Sequence, residues 1–320
     1  MATSASPPAA QEPRIAVLLA VYNGAAWLPD QLTSLLAQTY DNWVLYWRDD
    51  GSEDGSVAIL QDFGRRAGQG RFVRVTTPGG RLGATENFLT LLRTVAGGLE
   101  PTGMVAFADQ DDVWLPQKLA RGAAALQAVP REEPVLYCAR QILVDSRLRQ
   151  IGLSASIPHS ATVFPAALTQ NVATGCTVML SAAAARLVAA STPSPATLHD
   201  WWAYLVVTAA GGRLLQDPKP VVLYRQHAQN LVGAPASMPR RAVAALRRGP
   251  SVFMGVLRSH VTALLAQPGL VSPGALRELQ TLDQALHGSL WQRLRALFLP
   301  GLHRQTWQET LVFRCWFLFG

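Results

Sequence analysis

Cysteine is scarce in this chain. Cys138, Cys176 and Cys315 are odd in number and far apart, which argues against a disulfide framework or a cysteine-built metal cluster and fits a reducing compartment. Charge is scarce too, at 15% of residues against 49% hydrophobic, a balance that removes the chain from the disordered class. No unbroken apolar run reaches the roughly 18 to 20 residues that a membrane-spanning helix needs. Neither a glycine-rich phosphate loop with its lysine nor a G-x-G-x-x-G follows the first apolar run, which counts against P-loop and dinucleotide-binding enzymes. A basic, apolar leader is missing as well: Met1 to Pro13 is Ala, Ser and Pro, and is expected to be a disordered tail. Acids run short only locally. Residues 238–320 hold 10 Arg against Glu278, Asp283 and Glu309, which is the entire net charge of +7, because residues 1–237 hold 18 of each sign. An acidic partner is therefore expected for the C-terminal segment alone. It comes with no nucleic-acid motif, so nucleic acid is not the expected partner.

What the chain does have is alternation. Arg14 to Val21 is a near-continuous apolar run, the pattern of a strand covered on both faces, and it ends in the turn Tyr22-Asn23-Gly24. Trp27, Leu28, Leu32, Leu35 and Leu36 follow at helical spacing. A second strand is predicted over Asn42 to Trp47, then a helix capped by Asp54, a third strand over Arg71 to Val75, and a helix from Gly83 to Val95. Strands alternating with helices predict an α/β fold with a mainly parallel sheet flanked by helices. Further along, a strand is expected within Pro134 to Asp145, loop over 146–160, a strand after Gly175, a helix from Leu198 to Ala210 and a last short strand over Pro220 to Tyr224. From about Ala242 the pattern is helical, broken near Pro250, Pro268, Pro273 and Pro300.

The stretch Met104 to Trp114 stands out. Five mostly apolar residues read as a buried strand and lead straight into Asp109, Asp111 and Asp112, with no cation before Lys118. Like charges so placed repel unless solvated or bound to a cation. The residues alone fit either an acidic surface turn or a site for Mg or Mn, hard ions that take carboxylate oxygens and share their remaining positions with phosphate. In open parallel sheets ligands sit beyond the carboxyl ends of the strands. Tyr22-Asn23, Asp49-Asp50 and the acidic stretch all fall at such ends. Each has a plainer reading: Asp49-Asp50-Gly51-Ser52 as a turn, Asp200 as a helix cap, His227 as a solvated or core histidine, Trp201 and Trp202 as core.

Seven short motifs, in this order, resemble the family 2 glycosyltransferases. They are Ala20-Val21-Tyr22-Asn23-Gly24, Asp49-Asp50-Gly51-Ser52, Asn87-Phe88, Asp109 to Trp114, Gly175-Cys176-Thr177, His199-Asp200-Trp201-Trp202 and Tyr224-Arg225-Gln226-His227. The nearest likeness is to the rhamnosyltransferase-like branch. That resemblance implies a GT-A fold over residues 14–233, followed by a basic helical region over 234–320. It implies inverting transfer of a sugar, rhamnose by branch likeness, from a nucleotide-diphosphate donor to a glycan or lipid-linked acceptor in bacterial surface-polysaccharide synthesis. It also assigns roles. Ala20, Val21, Tyr22, Asp50, Asn87 and Asp111 are expected at the nucleotide. Asp112 is the first choice for metal ligand, with Asp111, Asp109 and His227 beside it. Asp200 is expected as general base, and Trp114, Trp201, Trp202 and Arg225 at the sugar or acceptor. His199-Asp200 replaces the acidic pair of many members, so the base rests on one carboxylate. The Gln-x-x-Arg-Trp motif of processive members is missing, which favours one sugar per encounter. A non-catalytic nucleotide-sugar binder or another metal-dependent nucleotidyltransferase are the alternatives; a pure binder has no use for the base.

The final segment interleaves Leu290, Trp291, Leu294, Leu297 and Phe298 with Arg293 and Arg295, and Trp307 to Leu318 with Arg304 and Arg314. This is the composition of a helix lying in a membrane interface, or of one packed on the catalytic domain. The expected location is cytoplasmic, peripheral to the inner membrane.

Overall fold

A computed structural model describes residues 12–68, 70–156, 163–195, 197–227 and 238–320, with 238–248 as backbone only. The N-terminal tail up to residue 11 and the expected boundary at 233/234 lie outside the described residues.

The predicted alternation is realised. β1 (Ile15–Val21), α1 (Leu28–Leu36), β2 (Trp43–Asp49), α2 (Ser56–Ala67), β3 (Phe72–Arg74), α3 (Ala84–Ala96) and β4 (Met104–Ala108) follow in turn. β1, β2, β3 and β4 pair in parallel, with β2 and β4 on either side of β1. Strand order therefore reverses at β1, and the crevice beyond its carboxyl end is the expected ligand site.

The second half makes the sheet mixed. β5 (Val113–Trp114), α4 (Lys118–Gln127), β6 (Val135–Val144), β7 (Gln150–Leu153), β8 (Met179–Ser181), α5 (Ala182–Ala189), α6 (His199–Ala209) and β9 (Arg213–Arg225) complete a nine-stranded sheet ordered β3-β2-β1-β4-β8-β6-β9-β5, with β7 on β6. β8 runs antiparallel to β4 and β6, and β5 antiparallel to β9. Two expectations need correction here. Part of the stretch read as loop is β7, and the last strand begins at Arg213 rather than Pro220. Pro218 and Pro220 hid it: proline gives the ladder no N–H, and the β6–β9 register shifts beside Arg140, the partner of Pro220.

Both sheet faces are covered. Leu18, Phe107 and Leu136 pack on one side with α3, α5 and α6; Val17, Leu19 and Ala106 pack on the other with α1, α2 and α4. The C-terminal helices α7 (Met238–Leu265), α8 (Pro273–His287), α9 (Leu290–Ala296) and α10 (Trp307–Phe319) join the first of these cores through Leu257, Val261, Leu279, Phe313 and Phe317. α7 kinks where Gly249, in the left-handed region at φ 77°, precedes Pro250.

Candidate active site

The carboxyl ends of β1, β2 and β4 converge. Past β1, the Tyr22 N–H donates to Gln110 Oε1 and the Gln110 amide donates back to the Tyr22 carbonyl, both at 2.9 Å. This two-way clasp joins the ends of β1 and β4. Gly24 leaves room for it, because a Cβ there would push the Gln110 amide aside. Val21 takes part through its backbone, accepting the Asp50 N–H at 2.8 Å, and Ala20 is half-buried next to it.

At the end of β2, Asp50 is buried and accepts from Arg48 Nη1, Leu82 N–H and Gly83 N–H, each at 2.7 Å. Burial raises its carboxyl, but these donors outweigh burial and hold it below the usual carboxylate range. Arg81, half-exposed or more, lays its guanidinium 3.7 Å over the Tyr22 ring. Asn87 is buried behind the site, where its amide donates to the Arg48 carbonyl at 3.3 Å. It braces β2, which corrects the expectation that it faces the nucleotide.

The three acids of the β4–β5 loop divide between two settings. Asp111 stays partly exposed, with Oδ2 2.9 Å from His227 Nε2. Asp112 is fully buried: one oxygen accepts the Arg225 N–H at 3.1 Å, the Cys176 thiol lies near the carboxylate, and Oδ2 has no hydrogen-bond partner in the described structure. Asp109, Asp112 and Cys176 bring one ligand atom each within 4.8 Å of one another. Burial, reinforced by the charges of Asp111 and Asp200, pushes the Asp109 carboxyl up to about 8. Burial and then Asp111 and Asp109 push Asp112 well above its ordinary range. Lys118, fully buried, sits 3.5 Å over the Trp114 ring beside these acids, and burial pulls its ammonium down to about 7. With one lysine beside them the three carboxyls cannot ionise together without mutual repulsion, and one oxygen is left an orphan, the conditions that a divalent cation relieves. The fit is to hard ions through the carboxylates. The Cys176 thiol, pushed far up by burial, stays protonated and is a poor ligand for Mg or Mn.

Tertiary structure brings His227 to this cluster. β5 pairs Val113 with Leu223 and Trp114 with Val222, so the residues after β9 lie against the acidic loop. His227 stacks on Trp27 (4.9 Å between centroids). Arg225 is buried and braces the loop, donating to the Asp111 and Ser146 carbonyls and to Asp30 Oδ2, all at 2.8 Å. Its own side chain is buried and these three bonds are all to protein groups, so it holds the loop in place, a bracing role rather than the sugar contact expected. Trp114 and Trp202 are corrected likewise: both are buried, and the Trp202 indole N–H donates to Ser191 Oγ at 2.8 Å. Trp201 is half-buried, its indole N–H bonded to the Ala167 carbonyl at 2.8 Å.

Asp200 opens α6. Its Oδ2 accepts the Gly175 N–H at 2.9 Å, its Oδ1 the Trp201 N–H at 2.6 Å, and the Asn171 side chain bonds it as well. Burial pushes it up to about 6 against those donors. Gly175 holds Asp200, and the next residue, Cys176, lies within 4.8 Å of the ligand atoms of Asp109 and Asp112, so two consecutive residues bring the carboxylate of α6 to the acidic loop. His199, by contrast, stacks on Phe88 at 3.8 Å and burial pulls it down to about 3, so it is a neutral core residue. Gln110, Lys118, Cys176, Trp27, Asp30 and Asn171 were missed as site residues. The lysine carried a signal as the first cation after three acids, and Gln110 and Cys176 stood inside two of the seven motifs.

The family model described as glycosyl transferase family 2 matches residues 16–180, more than half of the chain. The chain belongs to this family. Among curated members it is 26% identical over 225 residues to the dTDP-rhamnosyl transferase RfbG of Shigella flexneri, covering 68% of this chain and 74% of that one. A UDP-Glc:alpha-D-GlcNAc-diphosphoundecaprenol beta-1,3-glucosyltransferase of Escherichia coli is 28% identical over 105 residues, 33% of this chain and 38% of that one. Among solved structures, S. aureus TarS 1-349 in complex with UDP-GlcNAc superposes with a TM-score of 0.57 at 14% identity, covering 86% of this chain and 72% of TarS. The mannosyltransferase PcManGT of Pyrobaculum calidifontis, in complex with GDP-Man and Mn2+, gives 0.52 at 18% identity, covering 96% and 88%. At these identities the two structures establish the GT-A fold. The glycosyltransferase, rhamnosyltransferase-like reading of the motifs therefore stands for the family.

Proposed function

We propose that this family member is an inverting glycosyltransferase. It moves a sugar from a nucleotide-diphosphate donor to a hydroxyl of a glycan or lipid-linked acceptor, with Mg or Mn. The observation that supports the reading is the placement of Asp200, held by the Gly175 N–H, next to the cluster of Cys176, Asp109 and Asp112 at the switch point of the sheet. In this reading the nucleotide lies along Ala20 to Tyr22 and Asp50. Asp109 and Asp112, whose ligand atoms lie within 4.8 Å of one another, would hold the metal, with Asp111 and His227 beside them. A metal there would supply charge neutralisation at the diphosphate leaving group.

Inversion needs one displacement. Asp200 takes the proton of the acceptor hydroxyl, the acceptor oxygen bonds to the anomeric carbon, and the bond from that carbon to the diphosphate breaks with its electron pair leaving on phosphate. Asp200 must be ionised to do this, and its position at about 6 leaves it both ionised at neutral pH and more basic than a free aspartate. Trp201 remains the aromatic side chain next to the base that could line the acceptor path. The S. flexneri relative favours a rhamnose donor, and the E. coli relative, which acts on a diphosphoundecaprenol-linked sugar, favours a lipid-linked acceptor in surface-polysaccharide synthesis.

The test is donor turnover. Purified protein with Mn and a panel of sugar nucleotides is expected to release nucleoside diphosphate slowly to water and faster with acceptor. Asp112→Asn should abolish metal-dependent donor binding measured by calorimetry. Donor binding to the wild type that is indifferent to Mn, Mg and chelator would overturn the metal assignment, and retention of the anomeric configuration in the product would overturn the single displacement.

A further inference from the structure

We propose that α9 and α10 dock the protein on the surface of an anionic lipid bilayer. Each helix buries one face in the core: Ala296 on α9, Phe313 and Phe317 on α10. The opposite faces are apolar and open. Trp291 is 79% exposed and Phe298, just past α9, 85%; on α10 Trp307 is 73% and Phe319 80% exposed, with Leu290 and Leu311 also out. Helical spacing gathers Leu290, Trp291, Leu294 and Phe298 on one side of α9, and Trp307, Leu311 and Leu318 on one side of α10. The exposed Arg295 and Arg314 lie beside these stripes. Arg293 of α9 donates to the Phe317 and Leu318 carbonyls, which joins the two helices. Monomeric proteins rarely leave so many large apolar side chains in water.

Charge selects the occupant. The segment from Leu290 to the C-terminus holds Arg293, Arg295, Arg304 and Arg314 against Glu309 alone, a net of +3, so a second copy would set like charge against like. Apolar stripes edged by arginine complement anionic headgroups over acyl chains. Among the described residues no helix is long and apolar enough to cross a membrane, so the contact is one of lying on the surface.

The placement also bears on the acceptor, a point that rests on the sugar-transfer reading, whereas the docking does not. The connector between α9 and α10 sits on the segment before Asn171. Thr169 Oγ1 donates to the His303 carbonyl (2.8 Å), Arg304 Nη1 to the Thr169 carbonyl (2.7 Å), and the Gln305 N–H to Gln170 Oε1 (3.2 Å). Asn171, the next residue, interacts with Asp200. The docking helices thus rest on the short segment that leads to the base, a connection through which a bilayer contact can bear on transfer to a lipid-borne hydroxyl.

Flotation of the full chain with phosphatidylcholine vesicles, with and without phosphatidylglycerol, tests the proposal. The wild type is expected to float with the anionic vesicles only. Arg295→Gln and Arg314→Gln should each lower the partition coefficient about five-fold, and the triple variant Trp291→Ser/Phe298→Ser/Trp307→Ser at least about ten-fold. All should melt as the wild type does, because the replaced side chains are exposed, and should turn over donor with a water-soluble acceptor at the wild-type rate. Absence of wild-type flotation, or flotation unchanged by the triple variant, overturns the docking. A wild-type dimer in light scattering that the triple variant splits also overturns it, by assigning the face to a second copy. Loss of turnover with vesicle binding intact would instead count against the reading of the site.

Discussion

Asp200 shows how a side chain acquires a role from its surroundings. A carboxylate at the start of a helix ordinarily caps it, and Asp200 does accept the Trp201 N–H. Burial, however, pushes it up to about 6 even against its backbone donors. If it is the base, kcat is expected to rise through about pH 6 and level off above, in steady-state assays across pH at saturating donor. Asp200→Asn should lower kcat by roughly 10²–10⁴ while calorimetric donor affinity stays at the wild-type value. The stability consequence has the opposite sign. A carboxyl raised above its unfolded value favours the protonated folded state, so its contribution is complete below about pH 4 and is lost as pH rises through about 6. The neutral Asp200→Asn is accordingly expected to melt no lower than the wild type at pH 8. A marked drop there would mean that the ionised side chain holds the fold together and is not a group kept basic for chemistry.

The elements around the site are fastened by small contacts between segments distant in sequence. The Tyr22–Gln110 clasp joins the ends of β1 and β4. Gly24→Ala should open it, because the new methyl group and the Gln110 amide compete for one space. The expected cost is about 1–3 kcal/mol of stability in denaturant titration with weakened donor binding. α6 is fastened on its other side by α7. Thr197, just before α6, bonds His260 through its hydroxyl and accepts Thr85 Oγ1 at its carbonyl (3.3 Å), while Ser194 bonds Ser259 at 2.6 Å. The Trp201 ring meets the edge of His260 at 4.7 Å. His260→Ala is therefore expected to lower kcat, by a shift of the segment that carries Asp200, and to leave donor Kd unchanged.

Across the whole molecule, the C-terminal helices are part of the catalytic core's packing. Phe313 and Phe317 are buried in the same cluster as Trp202, Leu205 and Val261. Phe317→Ala should cost about 3–5 kcal/mol, and calorimetry is expected to record one unfolding transition displaced downward. An independent tail would unfold in a transition of its own and leave the catalytic part's midpoint unmoved. The same packing divides α10 into an inward and an outward face, so only the outward half of its surface is open to the interfacial contact expected from composition.

Local pattern and chemistry determined much of this. Apolar runs alternating with 3.6-residue periodicity specify strands and helices from neighbouring residues alone, and they led to β1 through β4, α3 and α6 and to an α/β sheet with its polar residues at the strand ends. The acidic stretch after β4 announced itself because three like charges beside a buried strand need a reason. Non-local pairing decided the rest. β5 is two residues long and exists because β9 lies beside it; that pairing alone carries His227 to Asp111. Composition cannot tell an indole facing a sugar from one facing a core, and packing turned Trp114 and Trp202 inward. That Asp112 is buried while Asp109 and Asp111 stay partly exposed was likewise decided by the fold. A turn sends successive side chains in different directions, and only the partners waiting there, Arg225 and Cys176 for Asp112 and His227 for Asp111, fix which direction is solvent and which is core.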